Sequence, residues 1–249
     1  MIQLGIKIEI ERNGYALVDD VLSESEVAYL LIALEQISTG DSVRRREGVF
    51  AVRNLLDVVP EVRKLAHSKA VGNLVKPVLC EDFFPVRGIL FDKIPDANWK
   101  VPWHQDVTIA VQERVEVEGY GPWSVKADVL HVQPPLSVLE NILSVRLHLD
   151  DCSEENGAVR VIPGSHLHGR ISEGDISEIR KTSNEVVCSL SVGGALLMRP
   201  LLLHASAPSQ KPGHRRVIHL DFSSAPLHAG LRWFSESHSA PDPAASTIK

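Results

Sequence analysis

Cysteine is scarce and poorly placed for a covalent framework. Cys80, Cys152 and Cys188 are spread widely through 249 residues with no CxxC pair among them. That excludes a disulfide scaffold or a cysteine-based zinc site and reads instead as reduced, mostly structural thiols. An excess of positive charge is also missing. With 26 Lys and Arg against 32 Asp and Glu, the formal charge is −6, which leaves no net basic footprint for a nucleic-acid partner. No apolar run approaches the roughly 20 residues that cross a bilayer, and the opening Met1-Ile2-Gln3-Leu4-Gly5-Ile6-Lys7 lacks the layout of a signal peptide. No membrane partner and a cytoplasmic location are therefore expected. No internal repeat, heptad or exposed apolar stripe stands out, so the oligomeric state is not legible. The 44% hydrophobic and 23% charged residues are an ordinary globular composition, and the length suits one domain spanning residues 1–249 with a single substantial core.

The patterning predicts a short strand, then helices over about residues 20–80, then strands from about 86 to 235. Asn13-Gly14-Tyr15-Ala16-Leu17-Val18 reads as the strand. Ser23-Glu24-Ser25-Glu26 resembles a capping box opening a helix to about Ile37, with Val27, Leu30, Leu31 and Leu34 on one face. A second helical stretch runs from about Pro60 to Val78. Strand-like runs follow at Val86 to Lys93, Leu143 to Leu149, Ala158 to Ile162, Val186 to Leu190, Ala195 to Met198 and Val217 to Phe222. Many short strands with Gly and Pro turns favour a β-sandwich or jelly roll, with the helices covering one sheet. The Ser-, Ala- and Pro-rich tail after Trp233 is expected to be loosely ordered.

Three HxD pairs occur, His104/Asp106, His148/Asp150 and His219/Asp221, among eleven histidines; roughly one is expected by chance. His148 lies on an alternating run read as a half-buried strand ending at Asp150-Asp151. His219 follows on another apolar run, with no later His-plus-Arg pair to complete a site. His104, in contrast, leaves a loop reading Val101-Pro102-Trp103-His104-Gln105-Asp106, where side chains can be aimed inward. About a hundred residues on, His204 closes an apolar run and Arg215 stands eleven positions beyond it. The turn signal Pro212-Gly213 suggests a hairpin that brings His204 and the Arg215-Arg216 pair onto neighbouring strands. Alternation does not settle which arginine points inward; the more polar face, with Arg215 and His219, should line the site. Two imidazoles and a carboxylate on one face of a metal leave positions open for a co-substrate and O₂, as a non-haem Fe(II) oxygenase requires. An arginine can then fork onto the far carboxylate of that co-substrate.

These residues carry a resemblance. The strand at Asn13-Gly14, Pro102-Trp103-His104-Gln105-Asp106, Asn156-Gly157 leading to Ile162-Pro163-Gly164-Ser165-His166, and His204-x-Ser206 to Arg215 together resemble the phytanoyl-CoA dioxygenase family of Fe(II)/2-oxoglutarate oxygenases. The resemblance implies a double-stranded β-helix of the cupin-like jelly-roll type. It also implies iron held by His104, Asp106 and His204, and 2-oxoglutarate held by Arg215 and Ser206 with Lys93 nearby. One departure stands out: a family tryptophan is replaced by Arg146, which could pair with a carboxylate of the co-substrate or the substrate. Because Asp106 is present, where halogenating relatives carry a small residue, the implied reaction is hydroxylation of a C–H bond of a small-molecule substrate, with O₂ consumed and succinate and CO₂ released. The acidic net charge argues against a CoA thioester.

Residues 107–137 form an insertion read either as a lid or substrate wall or as an extra hairpin with a buried Trp123. Trp103, Gln105, Trp123 and His131 are candidate substrate contacts, with packing as the plainer reading. Two rivals remain at this point: a jelly roll that binds a small ligand without turnover, and a divalent-metal hydrolase using the same three ligands.

Overall fold

A computed structural model describes residues 2–37, 43–46, 49–94, 98–126, 128–210 and 213–235. The expected loose tail from residue 236 onward and Pro212 of the expected turn lie outside them. Helix α1 (Ile2–Asn13) opens the chain, an element that its weak patterning did not announce. It buries Ile6 and Ile10. Gly14 ends it at φ +81, and a Cβ there would stand 2.5 Å from His166 Nδ1. Both the left-handed turn and the close approach demand glycine. Strand β1 (Tyr15–Val18) follows. The capping box then forms as expected: Ser23 Oγ accepts from Glu26 N at 3.3 Å, and Glu26 Oε2 accepts from Ser23 N at 2.8 Å, starting α2 (Glu24–Glu35).

After β2 (Val43–Arg46) and β3 (Val49–Arg53) come α3 (Leu55–Val58), α4 (Pro60–Ala66) and α5 (Lys69–Leu79). The helix expected from Pro60 to Val78 is thus two helices. Ser68 caps the second by accepting from Val71 N, and a serine that takes over a backbone donor favours a fresh start over continuation. The remaining elements are β4 (Phe84–Asp92), β5 (Val101–His104), β6 (Ile109–Val111), β7 (Trp123–Lys126), β8 (Val129–Val132), α6 (Leu136–Leu139) and β9 (Ile142–His148). They are followed by β10 (Val159–Val161), α7 (Glu173–Thr182), β11 (Val186–Cys188), β12 (Ala195–Met198), β13 (His204–Ser206) and β14 (Arg216–Ser223).

The strands form a seven-stranded major sheet in the order β1-β12-β9-β14-β4-β3-β2, a four-stranded minor sheet β11-β10-β13-β5, and a small sheet β6-β8-β7. Every pairing is antiparallel. The architecture is a jelly roll. Helices α2, α4 and α5 pack Val27, Leu30, Leu34, Val62, Val71 and Leu74 on the outer face of the major sheet, against Leu143, Val145, Leu147, Leu197, Ile218 and Leu220. The inner face faces the minor sheet. Strand β9 was expected to be half-buried, yet all seven of its residues are buried, because helices cover one face and the sandwich interior the other.

The expected hairpin between His204 and Arg215 does not form. Strand β13 pairs with β10 and β5, whereas β14 pairs with β4 and β9. The connection at 207–215 crosses from one sheet to the other, so His204 and Arg215 come from opposite walls of the sandwich. The insertion forms a β7–β8 hairpin joined by β6, with Trp123 half-buried against the cluster around Val111, Val132 and Trp233, and its Val107, Thr108 and Lys126 also form part of the wall of the main cavity.

Candidate metal centre

His104 ends β5 and His204 begins β13, and the two are paired in register with ring centroids 4.2 Å apart. Asp106 sits two residues past His104, its N–H donating to Pro200 O at 2.8 Å. Asp106 Oδ2 lies 3.7 Å from His204 Nε2, and Oδ1 lies 3.9 Å from His104 Nε2. One ligand atom from each of the three residues falls within 4.8 Å of the others, and this is the one such trio among the described residues.

The protonation of the trio follows from its hydrogen bonds. His104 Nδ1 meets Pro102 O at 2.8 Å and His204 Nδ1 meets Leu202 O at 2.9 Å. A carbonyl can only accept, so each Nδ1 carries the proton and each Nε2 turns a lone pair toward Asp106. Burial holds the His204 imidazole well below its ordinary range, although Asp106 opposes this. Burial alone would raise the Asp106 carboxyl, but His204 and Arg87 outweigh it and hold it low. Two imidazoles, each with Nδ1 turned away to a carbonyl, and one carboxylate converge on one another, a donor set that suits a divalent cation.

Neighbouring residues pin the trio. The Gln105 side-chain amide donates to Gly169 O at 2.8 Å and to Leu201 O at 2.6 Å, and its carbonyl accepts from Ile171 N at 2.8 Å. Ser165, of the Pro163-Gly164-Ser165 turn, accepts from Leu203 N at 2.8 Å and so fixes the strand entering His204.

The trio opens on a cavity of about 320 Å³ whose lining includes Lys93, Arg146, Ser206, Arg215 and His219. Arg215 is 2% exposed and donates from Nη1 to Gly157 O at 3.1 Å, while its buried Nε has no partner. Arg216, in contrast, pairs with Asp150 through Nε at 2.9 Å and Nη2 at 2.7 Å. Gly157 has φ +70, and a Cβ there would strike Ala207 O at 2.5 Å, so glycine lets the two loops close around Arg215. Lys93 Nζ donates to Ser206 Oγ at 3.1 Å and to Ala207 O. Burial, with Arg215 adding to it, pushes the Lys93 ammonium down to about 7.

A polar chain ties the next residues together. Arg146 Nη1 donates to His219 Nδ1 at 2.9 Å, and His219 Nε2 donates to Asp221 Oδ1 at 2.8 Å. Asp221 also accepts from Ser144 Oγ and from Arg87 Nε, each at 2.6 Å. Burial would raise the Asp221 carboxyl, but Arg87, His219 and Ser144 hold it far below the usual range.

The other predicted residues are dispersed. Gln105 reaches the cavity wall. Trp103 is half-buried outside the lining, with the Arg180 guanidinium 5.1 Å from its ring. Trp123 carries Arg114 at 5.4 Å on the small sheet. His131 is buried, bonds Val129 O at 2.9 Å, and borders a small adjoining cleft instead of the main cavity. Sequence reasoning missed Arg87, Phe91 and Thr108 in the lining. Alternation along β4 offered the signal, because Arg87, Ile89, Phe91 and Lys93 share one face.

Comparison with known proteins bears on the whole arrangement. The chain is 25% identical to the ectoine dioxygenase of Bordetella bronchiseptica over 165 residues, which are 63% of this chain and 47% of the relative. It is 24% identical to the phytanoyl-CoA dioxygenase domain-containing protein 1 of Danio rerio over 204 residues, 76% of this chain and 62% of the relative. The chain thus spans about half to three fifths of the length of these relatives. Among solved structures, the epimerase SnoN in complex with Fe3+, alpha ketoglutarate and nogalamycin RO superposes with a TM-score of 0.71 at 18% identity, over 100% of this chain and 93% of that one. EctD from S. alaskensis with 2-oxoglutarate and 5-hydroxyectoine superposes with a TM-score of 0.69 at 19% identity, over 88% and 74%. At those identities the likeness establishes the fold. The model of the phytanoyl-CoA dioxygenase (PhyH) family matches residues 10–217, and the chain belongs to that family.

Proposed function

We propose that this chain is an Fe(II)- and 2-oxoglutarate-dependent dioxygenase that hydroxylates a C–H bond of a small-molecule substrate. The observation that carries this reading is a juxtaposition across one cavity: three metal-accepting side chains on one wall, and on the other the buried cations Arg146 and Arg215, which have no carboxylate partner among the described residues. A hydrolase would need the first but has no use for the second.

In this reading His104, Asp106 and His204 hold the iron. Arg215 and Ser206 receive the distal carboxylate of 2-oxoglutarate, with Lys93 supplying a second positive charge. Arg146 stands where the family's tryptophan would be. Its guanidinium lies 5.4 Å from the Phe91 ring, and its buried Nε has no partner. The His219–Asp221–Arg87 chain holds it from behind, so it adds a second fork toward a bound anion. When bound, iron with 2-oxoglutarate and O₂ supplies the oxidising power, releasing succinate and CO₂. The protein supplies position and exclusion of water: Ile89, Phe91 and Val159 form apolar wall between the charged groups.

An anaerobic titration of metal-free protein with Fe(II) and then 2-oxoglutarate tests the reading. A visible charge-transfer band of the chelated keto acid is expected in the wild type and not in His204→Ala. Absence of the band from folded wild-type protein would overturn it and favour a hydrolytic metal site or a binding protein.

A further inference from the structure

Arg146 is 9% exposed on the inner face of β9 and lines the cavity. Its Nη1 donates to His219 Nδ1, a neutral acceptor, at 2.9 Å. The Phe91 ring lies 5.4 Å from the guanidinium, and the buried Nε has no partner. The Asp221 carboxylate at the end of that chain is taken up by Arg87, Ser144 and His219. The chain therefore fixes where the guanidinium points without neutralising it. Buried polar groups are nearly always partnered and buried charges paired, so a guanidinium held this way is left for a ligand to satisfy.

Strand register places it at the metal end of the cavity. Inner-face residues fall in rows: Phe91 beside Val217 and His148, then Ile89 beside His219 and Arg146, then Arg87 beside Asp221 and Ser144. Lys93 and Arg215, joined by backbone hydrogen bonds, stand before the first of these. Arg146 is thus two rows, about 14 Å along the sheet, from the Arg215 backbone. Asp106 interacts with both Arg146 and Arg87.

Charge balance leaves the same residue over. Among the described lining residues Asp106 is the only carboxylate. A divalent metal offsets Asp106 and one carboxylate of a dianionic co-substrate, and Arg215 offsets the other. Arg87 is offset by Asp221. Lys93, at about 7, can give up its proton. Arg53 is half-buried and Lys126 exposed, so water screens both and neither enters the count. Arg146 then stands as one buried positive charge with no counterpart. Burial, with Arg215 adding to it, lowers its guanidinium to about 10, while Asp106 acts the other way. At that value the group is still charged at neutral pH.

We propose that the substrate is a small organic acid whose carboxylate is received by Arg146, beside the His104–Asp106–His204 trio and apart from the co-substrate seat at Arg215. Held there, the acid group anchors the substrate through a planar fork, and the carbon to be oxidised lies only a few bonds from it. The cavity, about 320 Å³, is near the lower limit of the roughly 300–1,000 Å³ usual for ligand sites. Shared with a co-substrate, it suits a compact molecule. The inference deepens the oxygenase reading and rests on it.

Acetate, butanoate and benzoate, each beside its neutral amide, are the probes. Anaerobic protein loaded with Fe(II) and saturating 2-oxoglutarate is titrated with each by calorimetry, and the charge-transfer band reports that the co-substrate stays bound. Wild type should bind at least one acid at a single saturable site, about tenfold or more tighter than its amide. Arg146→Gln and the apolar Arg146→Met, two variants in case one fails to fold, should lose that preference. Arg146→Lys should keep part of it, and 2-oxoglutarate affinity should stay within about threefold in all. If no acid outbinds its amide in wild type, or the preference survives in a folded neutral variant, the acid site is overturned while the oxygenase reading stands. If losing Arg146 weakens 2-oxoglutarate as far as Arg215→Ala does, the guanidinium belongs to the keto-acid end of the co-substrate and the substrate inference is overturned. If the band fails to form in folded wild type, both readings fall together.

Discussion

The two sheets of the sandwich divide the labour unequally. The major sheet is covered by helices outside and lined with charge inside: Arg87, Lys93, Arg146 and Arg215 all sit on β4, β9 or at the head of β14. The minor sheet is thinly covered and carries the two histidines. The His104 side chain is 37% exposed against 8% for His204. The difference teaches where stability is spent. An arginine buried without a carboxylate partner costs several kcal/mol. Only the sheet whose outer face buries many Leu, Val and Ile side chains, each contributing about 1.5–3 kcal/mol, can tolerate a row of them. The His104–Asp106–His204 cluster needs no such backing, because each histidine turns its Nδ1 to a backbone carbonyl two residues ahead of it in the chain, Pro102 O and Leu202 O.

If that division holds, substitutions on the two sheets should fail in different ways. His204→Ala and Asp106→Ala should abolish measurable Fe(II) binding in equilibrium dialysis while the urea-unfolding midpoint of the metal-free protein moves little. A large loss of stability would break the comparison. On the major sheet, Asp221→Ala leaves Arg87 and His219 without their carboxylate and should cost on the order of 3–5 kcal/mol in urea unfolding. The depressed Asp221 carboxyl also sets a pH dependence. Its contribution is complete above the unfolded carboxylate range near pH 4 and is lost as the pH falls below it, so Asp221→Asn should flatten the acid limb of the stability curve.

Arg215→Ala should weaken 2-oxoglutarate binding roughly 10- to 100-fold and leave Fe(II) affinity unchanged. Equal loss of both would remove the role proposed for it. The smallest effect concerns Lys93. With its ammonium at about 7 in the free protein, the lysine is increasingly neutral as pH rises through that value, and the dianion must then bind together with a proton. The 2-oxoglutarate dissociation constant should therefore rise above pH 7 by at most about tenfold per unit, and Lys93→Met should flatten the rise. For folding the sign is opposite. The unfolded chain holds that proton up to about 10.4, so stability gains with pH between the two values.

The strands with strong apolar patterning were legible in the sequence. Observed β4, β9, β12 and β14 match the expected runs within a residue or two, and the Ser23–Glu26 box formed with both of its bonds. The clustering of His104, Asp106 and His204 was legible from loop context. Its route was not: local turn chemistry at Pro212-Gly213 suggests a hairpin, but sheet assignment is decided by which partners a strand meets far away in sequence. Short strands such as β5, β6 and β13 have too few residues to show a period. Helix α1 escaped because its charged and apolar residues intermix, with Ile6 and Ile10 the buried ones among its described side chains. The Arg87–Asp221–His219–Arg146 chain was invisible for another reason. Its members lie on three strands, and only ladder register puts them in contact.

That His204 and Arg215 stand on opposite sheets has a consequence for length discrimination. Had they been on neighbouring strands, about 5 Å of hydrogen-bonding distance would separate their backbones; facing each other across a sandwich, the separation is instead the roughly 10 Å packing distance between layers. In the proposed reading the cavity would work as a gauge, with the His104–Asp106–His204 trio as one jaw and Arg215, joined by Ser206 of β13, as the other. A diacid that is one carbon too short or too long would meet only one jaw. The opening of the gauge is set by side chains packed between the two sheets, among them Val161, Cys188, Leu196 and Met198, so repacking that layer would retune which chain length fits.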